Sequence, residues 1–433
     1  MSRNGHNGAR PPARIPAPMR NGSHTGGPPC RIATYSPGMV GFGHIRRNAS
    51  IAQALRSSTL RPTIMMIAEA WQAGTLPMPP GVDCVTLPSL RKEGGDRYAP
   101  RFVEVPDQEL VALRRRVIRH TLDAFHPDVL LVDHLPLGAA RELKETLELL
   151  RQRKRTRCVL GLRDVLQDHE TVRRTWSDPT YREAVRDYYD AIWVYADPSV
   201  YDLVQEHQVF DGLASRVRFT GYLDQRPRLE FARSQAETLL ANLPPGRLAL
   251  CLVGGGFDGE PLAGAFLRAE LPPDMTGVVV TGPYMPVEMR QRLNDVLRDR
   301  PRMLLIDFLA EPIPLVERAD RVIAMGGYNT ICEVLSFEKH ALIVPRDGAN
   351  NDQWIRARRM SDLGLVEVLP AEQLGPEALG QWLARDLGPR PAYRSRVDLR
   401  GLVRIPMMVE DLLDATPGPV SPRDPAVHPW SAR

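Results

Sequence analysis

The stretch that most constrains this chain is Asp320–Gln353, DRVIAMGGYNTICEVLSFEKHALIVPRDGANNDQ. Arg321–Met325 is too apolar, and alternates too little, for an exposed strand, which predicts a strand buried within a parallel sheet. Gly326-Gly327 breaks that strand, and Thr330-Ile331-Cys332-Glu333 has the form of a capping box that opens a helix. Ile331, Val334 and Leu335 recur at helical spacing and give the helix one face to lay on the sheet. Ala341–Val344 reads as a second strand, stopped by Pro345 and followed by a polar loop, Asp347–Asp352. Such a unit offers free amides and a positive dipole end at the helix start, with glycines that let an anion reach the backbone. Its expected use is to hold a phosphate. Each part also has a plainer use. Any such turn needs glycine, Glu333 can serve only as the partner of Thr330 in the box, and Asn350, Asn351 and Asp352 suit an ordinary turn.

Taken in order, the glycine pair, the glutamate early in the helix, the strand ending in proline and the amide-rich loop resemble the nucleotide-binding half of the GT-B glycosyltransferases. Among these, the pattern is similar to the MurG-like N-acetylglucosaminyltransferases of family 28. The resemblance implies that Glu333 bonds the ribose hydroxyls of a nucleotide. It implies that Gly326, Gly327, Tyr328, Asn329 and Thr330 face the diphosphate. It also implies that Gln353, with Asp352 beside it, reaches the ribose or the sugar.

A chain of 433 residues predicts two or three domains with sizeable cores. Its formal charge of +4 misleads, because residues 1–31 hold five arginines and no acid. That leaves 51 basic against 52 acidic side chains, not the basic surface that a nucleic-acid binder needs. The five cysteines (Cys30, Cys84, Cys158, Cys251, Cys332) show no metal or CxxC spacing and read as reduced thiols of a cytosolic protein. No run of 18 apolar residues is present, and the first 29 residues lack the apolar core of a signal peptide. They read as a disordered tail, as does the Pro-rich stretch from 416 to Arg433.

Strands are predicted at Ile32–Tyr35, Thr63–Ile67, Val82–Leu87, Asp128–Val132, Cys158–Leu162, Asp190–Tyr195 and Val217–Thr220, with a helix over Asp107–Phe125. This alternation is that of a doubly wound parallel sheet. The loop Ser36–Arg47, SPGMVGFGHIRR, lacks the dinucleotide register of glycines, yet it follows the first strand and so opens on the ligand crevice. His44 ends that loop before a helical stretch, Asn48–Arg56, where an imidazole can act as a general base, donate to substrate, or simply pack. Arg46 and Arg47 read as solvated charges, one of which could meet an anionic acceptor. Asp133-His134 and Arg163-Asp164 sit at strand ends that border the crevice, as acceptor contacts or as loop caps. Arg114-Arg115-Arg116 with Arg119 reads as a solvated helix face, with an anionic lipid surface as the sharper alternative. The resemblance extends here: MurG-like enzymes line their acceptor side with a loop ending in Gly-His, matched by Gly43-His44. The form GHIRR is also similar to nucleotide-sugar hydrolases of pseudaminic acid synthesis, whose loop reads Gly-His-x-x-Arg. The stretch GYLDQR departs from the family's Gly-Asn-Pro-Val-Arg, which removes support for a phosphate role of Arg226.

The second half opens with a strand over Arg247–Val253 and GGGFDG, three glycines that signal a phosphate turn without a Walker motif. Further strands are read at Gly277–Thr281 and Met303–Ile306. By resemblance Gly254, Gly255 and Gly256 face the donor and Leu309 contacts its base. The apolar segment Leu402–Ala415 reads as a helix that crosses back onto the first domain. The expectation is therefore an α/β protein of GT-B architecture, with two doubly wound parallel-sheet domains facing across a cleft. Residues 30–226 form the acceptor side, 227–390 bind the nucleotide sugar, and 391–415 return. The implied reaction moves a sugar from a nucleotide diphosphate sugar, uridine-linked by resemblance, to a hydroxyl with inversion. His44 is the base; no cofactor and no metal are expected. The alternative is a hydrolase or epimerase using the same donor site. The acceptor is open between a lipid-linked and a small molecule, nucleic acid is excluded, and membrane contact is at most peripheral, at the inner face.

Overall fold

The computed structural model describes residues 29–37, 43–69, 76–94, 97–346 and 352–415. Both tails, Gly38 and Gly41 of the first loop, and Asn350 and Asn351 lie outside the described residues.

Strands β1 (Arg31–Ser36), β2 (Thr63–Ala68) and β3 (Val82–Thr86) are followed by a small antiparallel hairpin, β4 (Leu90–Gly94) and β5 (Arg97–Pro100). The chain then returns to the first sheet through β6 (Val129–Asp133), β7 (Arg157–Leu162), β8 (Ala191–Val194) and β9 (Val217–Phe219). These seven strands are all parallel, in the order β3-β2-β1-β6-β7-β8-β9. A second parallel sheet contains β10 (Arg247–Leu252), β11 (Met275–Val280), β12 (Met303–Ile306), β13 (Arg321–Ala324), β14 (His340–Ile343) and β15 (Glu367–Val368). Its order is β12-β11-β10-β13-β14-β15. In each sheet the winding reverses beside the first strand, between β1 and β6 and between β10 and β13. Loops part at such a reversal and leave a crevice at the carboxyl ends of the strands.

The strands form where the sequence is continuously apolar because helices cover both faces; every residue of β6 and of β11 is buried. One hydrophobic core runs from the first sheet, through Tyr222 and Leu223, onto the inner face of the second, where Tyr328 and Ile331 lie. A separate core, with Phe266, Ile323 and Trp382, fills the outer face of the second sheet. Helix Gly43–Ser57 packs on β1 and β2, on helix Tyr328–Ser336, and on the last helix, Gly401–Asp414.

Three readings of the sequence are corrected. No capping box opens helix Tyr328–Ser336: Gly327 is its N-cap, Thr330 is its third residue, and Glu333 points across the cleft. The hairpin β4–β5 and the short β15 are additional to the predicted strands, since LRKEG carries charge and two residues show no period. Finally, Arg114 is fully buried, with Nε and Nη2 each 2.6 Å from the Glu142 carboxylate and Glu69 close behind. Only Arg116 and Arg119 of the basic run are exposed, so it does not form one solvated face.

Candidate functional site

At the first crevice, helix Gly43–Ser57 starts on the carboxyl edge of β1 and sets His44 beside the end of β6. His44 Nδ1 lies 2.9 Å from Oδ2 of Asp133, a residue that is 1% exposed. Arg47 Nη2 donates to both Asp133 oxygens at 2.7 Å. Burial tends to raise the Asp133 pKa, but Arg47 and His44 bring it down to about 2, so the carboxylate stays ionised. Burial lowers the His44 pKa against the pull of Asp133, which leaves a neutral imidazole at neutral pH. Nδ1 also lies 2.8 Å from Arg47 Nη2, but the ionised Asp133 can only accept, so the tautomer that fits has Nδ1–H donating to Asp133 and the lone pair on Nε2. His134 follows in the left-handed region at φ 69°, its ring centroid 5.5 Å from that of His44. Burial, then the charge of Arg163, hold His134 well below the ordinary histidine range, and its Nδ1 has no partner among the described residues.

The second crevice is built from backbone. Gly254 (φ 66°) and Gly256 (φ 95°) turn the chain after β10. A Cβ on Gly256 would stand 2.3 Å from the Thr281 carbonyl oxygen, so only glycine fits there. After β13, Gly326 (φ 79°) turns the chain under Ile343, and Gly327 has open space where a side chain would be. The free amides of Gly327, Tyr328, Asn329 and Thr330 begin helix Tyr328–Ser336. The Tyr328 side chain is committed elsewhere: its hydroxyl donates to the Tyr195 carbonyl at 2.6 Å, and Arg47 lies over its ring at 5.3 Å. Gln353 accepts from the Arg346 amide at 3.1 Å.

Several contacts cross between the sheets. Arg46 Nη2 reaches Glu311 Oε1 at 2.6 Å and Glu333 Oε1 at 2.5 Å. Arg228 secures the other oxygen of Glu311 at 2.9 Å. Arg163 Nη1 lies 3.2 Å from Asp352, and Asn329 donates to the Gly43 carbonyl at 2.8 Å. The cavity between the halves, about 380 Å³, is lined by Gly43, His44, Arg46, Arg47 and His134 from the first half. The second half contributes Gly254, Gly255, Gly256, Leu309, Gly327, Asn329, Thr330, Glu333, Asp352 and Gln353, with Tyr328 at its wall. These predicted positions therefore converge on one space. Gly326 stands just behind, its carbonyl accepting from Arg356.

Asp164 does not face the cavity. It is fully buried, 2.8 Å from Arg356 and 3.0 Å from the Tyr222 hydroxyl, in an ion pair that joins β7 to helix Asp352–Asp362. It is corrected from an acceptor contact to an interdomain tie. Arg46 likewise is no solvated charge. The signal that could have revealed it is helical spacing: Arg46, Ser50 and Gln53 form a polar stripe, and all three meet the second half or its linker. Glu311 and Arg356 carried no such sign. Arg226 is half exposed and paired with Asp224, away from the cavity. Among the described residues no cluster of three metal-ligating side chains occurs, and no helix is long and apolar enough to cross a membrane.

Two doubly wound parallel sheets with a ligand-sized cavity between their switch points define a GT-B fold. Solved structures that share it include the following two. A UDP-glucosyltransferase from Polygonum tinctorium aligns over 90% of this chain and 100% of its own, with TM-score 0.57 and 13% identity. The UDP-GlcNAc 2-epimerase from Neisseria meningitidis, solved with UDP-GlcNAc, aligns over 88% and 99%, with TM-score 0.55 and 14% identity. Within that fold, residues 273–396 match the glycosyltransferase family 28 C-terminal domain. The chain is 29% identical over 124 residues to the UDP-N-acetylglucosamine–N-acetylmuramyl-(pentapeptide) pyrophosphoryl-undecaprenol N-acetylglucosamine transferase of Streptococcus uberis. That stretch is 28% of this chain and spans about a third (34%) of the relative's length.

Proposed function

We propose that the chain is a glycosyltransferase that moves a sugar from a nucleotide diphosphate sugar, uridine-linked, to an acceptor hydroxyl with inversion and without an obligatory metal. One observation carries this reading: a neutral histidine oriented by a carboxylate faces, across one cavity, a glycine-lined helix start. Residues 30–226 supply the acceptor side, 227–390 the donor side, and 391–415 return to the first half. His44 Nε2 accepts the acceptor's proton while Nδ1–H stays on Asp133, which stabilises the imidazolium as it forms. The amides at Gly327–Thr330 and Gly254–Gly256, with the helix dipole, stabilise the departing diphosphate. Glu333 takes the ribose hydroxyls, Gln353 and Asp352 lie toward the sugar, and Leu309 meets the base. Arg47 acts on the acceptor side through Asp133, and His134 borders the same space. A cytoplasmic protein with a lipid-linked or small acceptor fits this reading, with any membrane contact peripheral and at the inner face.

The motif Gly43-His44-Ile45-Arg46-Arg47 supports a second reading, hydrolysis or epimerisation of the same donor with water or the donor itself as the reacting partner. Incubating the protein with a panel of nucleotide sugars, with and without candidate acceptors, tests both. Transfer that needs an acceptor supports the first. Free sugar or an epimer formed from the donor alone supports the second, and no turnover of any donor by wild type contradicts both.

A further inference from the structure

Glu333 lies on the second half of the chain, and its partner does not. Its Oε1 accepts from Arg46, which stands 287 residues earlier on the first helix of the first half. Its Oε2 is buried and has no partner among the described residues; the residue lines the cavity and is 1% exposed. A carboxylate so placed is costly unless a cation sits beside it, and a buried oxygen without a donor, on a residue that lines a cavity, leaves room for a donor group. Arg46 is fixed independently of Glu333, because Glu311 binds it at Nε and Nη2 and is itself fixed by Arg228.

We infer that Arg46 is a positioning residue for the nucleotide: it reaches across the cleft to hold Glu333 ionised and turned, so that Oε2 is presented to a ribose hydroxyl. The inference rests on the donor reading proposed above. It makes donor affinity depend on apposition of the two halves, since the arginine that arms the donor site belongs to the acceptor side. Arg46 occupies Oε1 only, so it shares the carboxylate with the ribose and does not compete for it.

The charged and titratable groups around Glu333 are few. Arg46 comes from helix Gly43–Ser57, and Glu311, backed by Arg228, comes from the segment before helix Ile313–Arg318. Tyr328 and Cys332 share its own helix, while Arg390 and Arg394 sit at that helix's far end, on the carbonyls of Phe337 and Ser336. Burial raises the Glu333 pKa and Arg46 pulls it back, with Glu311 opposing. Without Arg46, Glu333 takes up a proton at higher pH, and a protonated Oε2 no longer accepts as a carboxylate does.

The test is calorimetric binding of UDP, GDP, ADP, CDP and dTDP from pH 6 to pH 9 to wild type, Arg46→Met, Arg46→Lys and Glu333→Ala, with thermal unfolding alongside. For the best-bound nucleotide, wild-type affinity should be nearly flat across this range. Arg46→Met should bind about 10- to 100-fold more weakly at pH 6, the range expected for one hydrogen bond to a charged group, and recover as pH rises. Arg46→Lys should keep the flat profile. A purely structural Arg46 would lower the melting temperature of Arg46→Met and leave the pH profile flat, which overturns the inference. Tighter binding by Arg46→Met overturns it too, because Arg46 would then be a competitor. If Glu333→Ala binds like wild type, or wild type binds none of the five, the donor reading itself fails. If only Glu333→Ala loses binding, the donor reading stands and the role of Arg46 falls.

Discussion

The two crevices share one topology and differ in what fills them. Where β1 and β6 part, the lining is ionisable side chains: His44, Asp133, Arg47 and His134. Where β10 and β13 part, the turns themselves are bare backbone, Gly254, Gly255, Gly256 and Gly327, with Glu333 beside them. The same doubly wound sheet thus supplies a site that can hold and move a proton and a site that can cradle an anion. Amides suit a diphosphate because they need no protonation state, whereas proton transfer needs a group whose pKa lies near neutrality. The fold fixes where a ligand sits; side chains decide what happens there.

The comparison is sharpened most by His44→Ala. Loss of a positioned base should cost on the order of 10²- to 10⁴-fold in turnover while leaving nucleotide affinity intact. In wild type, turnover should fall as pH drops, with a midpoint below the ordinary histidine value of 6.5, because burial lowers the His44 pKa and protonation blocks Nε2. A parallel loss of turnover and nucleotide binding would erase the division between crevices. Next in size is Asp164→Ala, which leaves the buried Arg356 only its longer 3.4 Å pair with Asp352. It should cost about 3–5 kcal/mol in denaturant unfolding, and loosen both crevices together. A variant as stable as wild type would show that this ion pair does not tie the halves.

Two glycines divide backbone strain from ligand space. Gly256→Ala puts a Cβ against the Thr281 carbonyl in the left-handed region and should cost about 1–3 kcal/mol in thermal unfolding. Gly327→Ala meets no atom and has φ −59°, so it should leave stability within about 1 kcal/mol. It should nevertheless weaken nucleotide binding, since its methyl points into the space proposed for the phosphates. Equal stability of the two variants would contradict the geometry. The smallest effect is expected at Arg116, on the exposed face of helix Asp107–Phe125. Its replacement by Ala should change stability by no more than about 0.5 kcal/mol and turnover not at all.

Much of this was legible in the sequence. Continuously apolar strands such as Val129–Asp133 announced parallel pairing, and glycines after Leu252 and Ala324 marked the turns. The helix starts earlier than the box implies: Thr330 and Glu333 have capping-box spacing, yet the N-cap is Gly327, three residues before Thr330 and just after the turn at Gly326. Arginines were the harder matter. Arg46, Arg114 and Arg356 look alike in sequence, and each is buried by a carboxylate that lies 28 to 287 residues away, so no local pattern announces them. Spacing along a helix helps only where several polar residues share the face, as with Arg46, Ser50 and Gln53.

The central claim, that the glycine-lined crevice holds a nucleotide through Glu333, is tested most directly by calorimetric titration of nucleoside diphosphates into wild type and Glu333→Ala, with unfolding followed on both. At least one nucleoside diphosphate should bind wild type and be lost in a variant that remains folded. Binding that is equal in the two proteins, or absent from wild type, would contradict it.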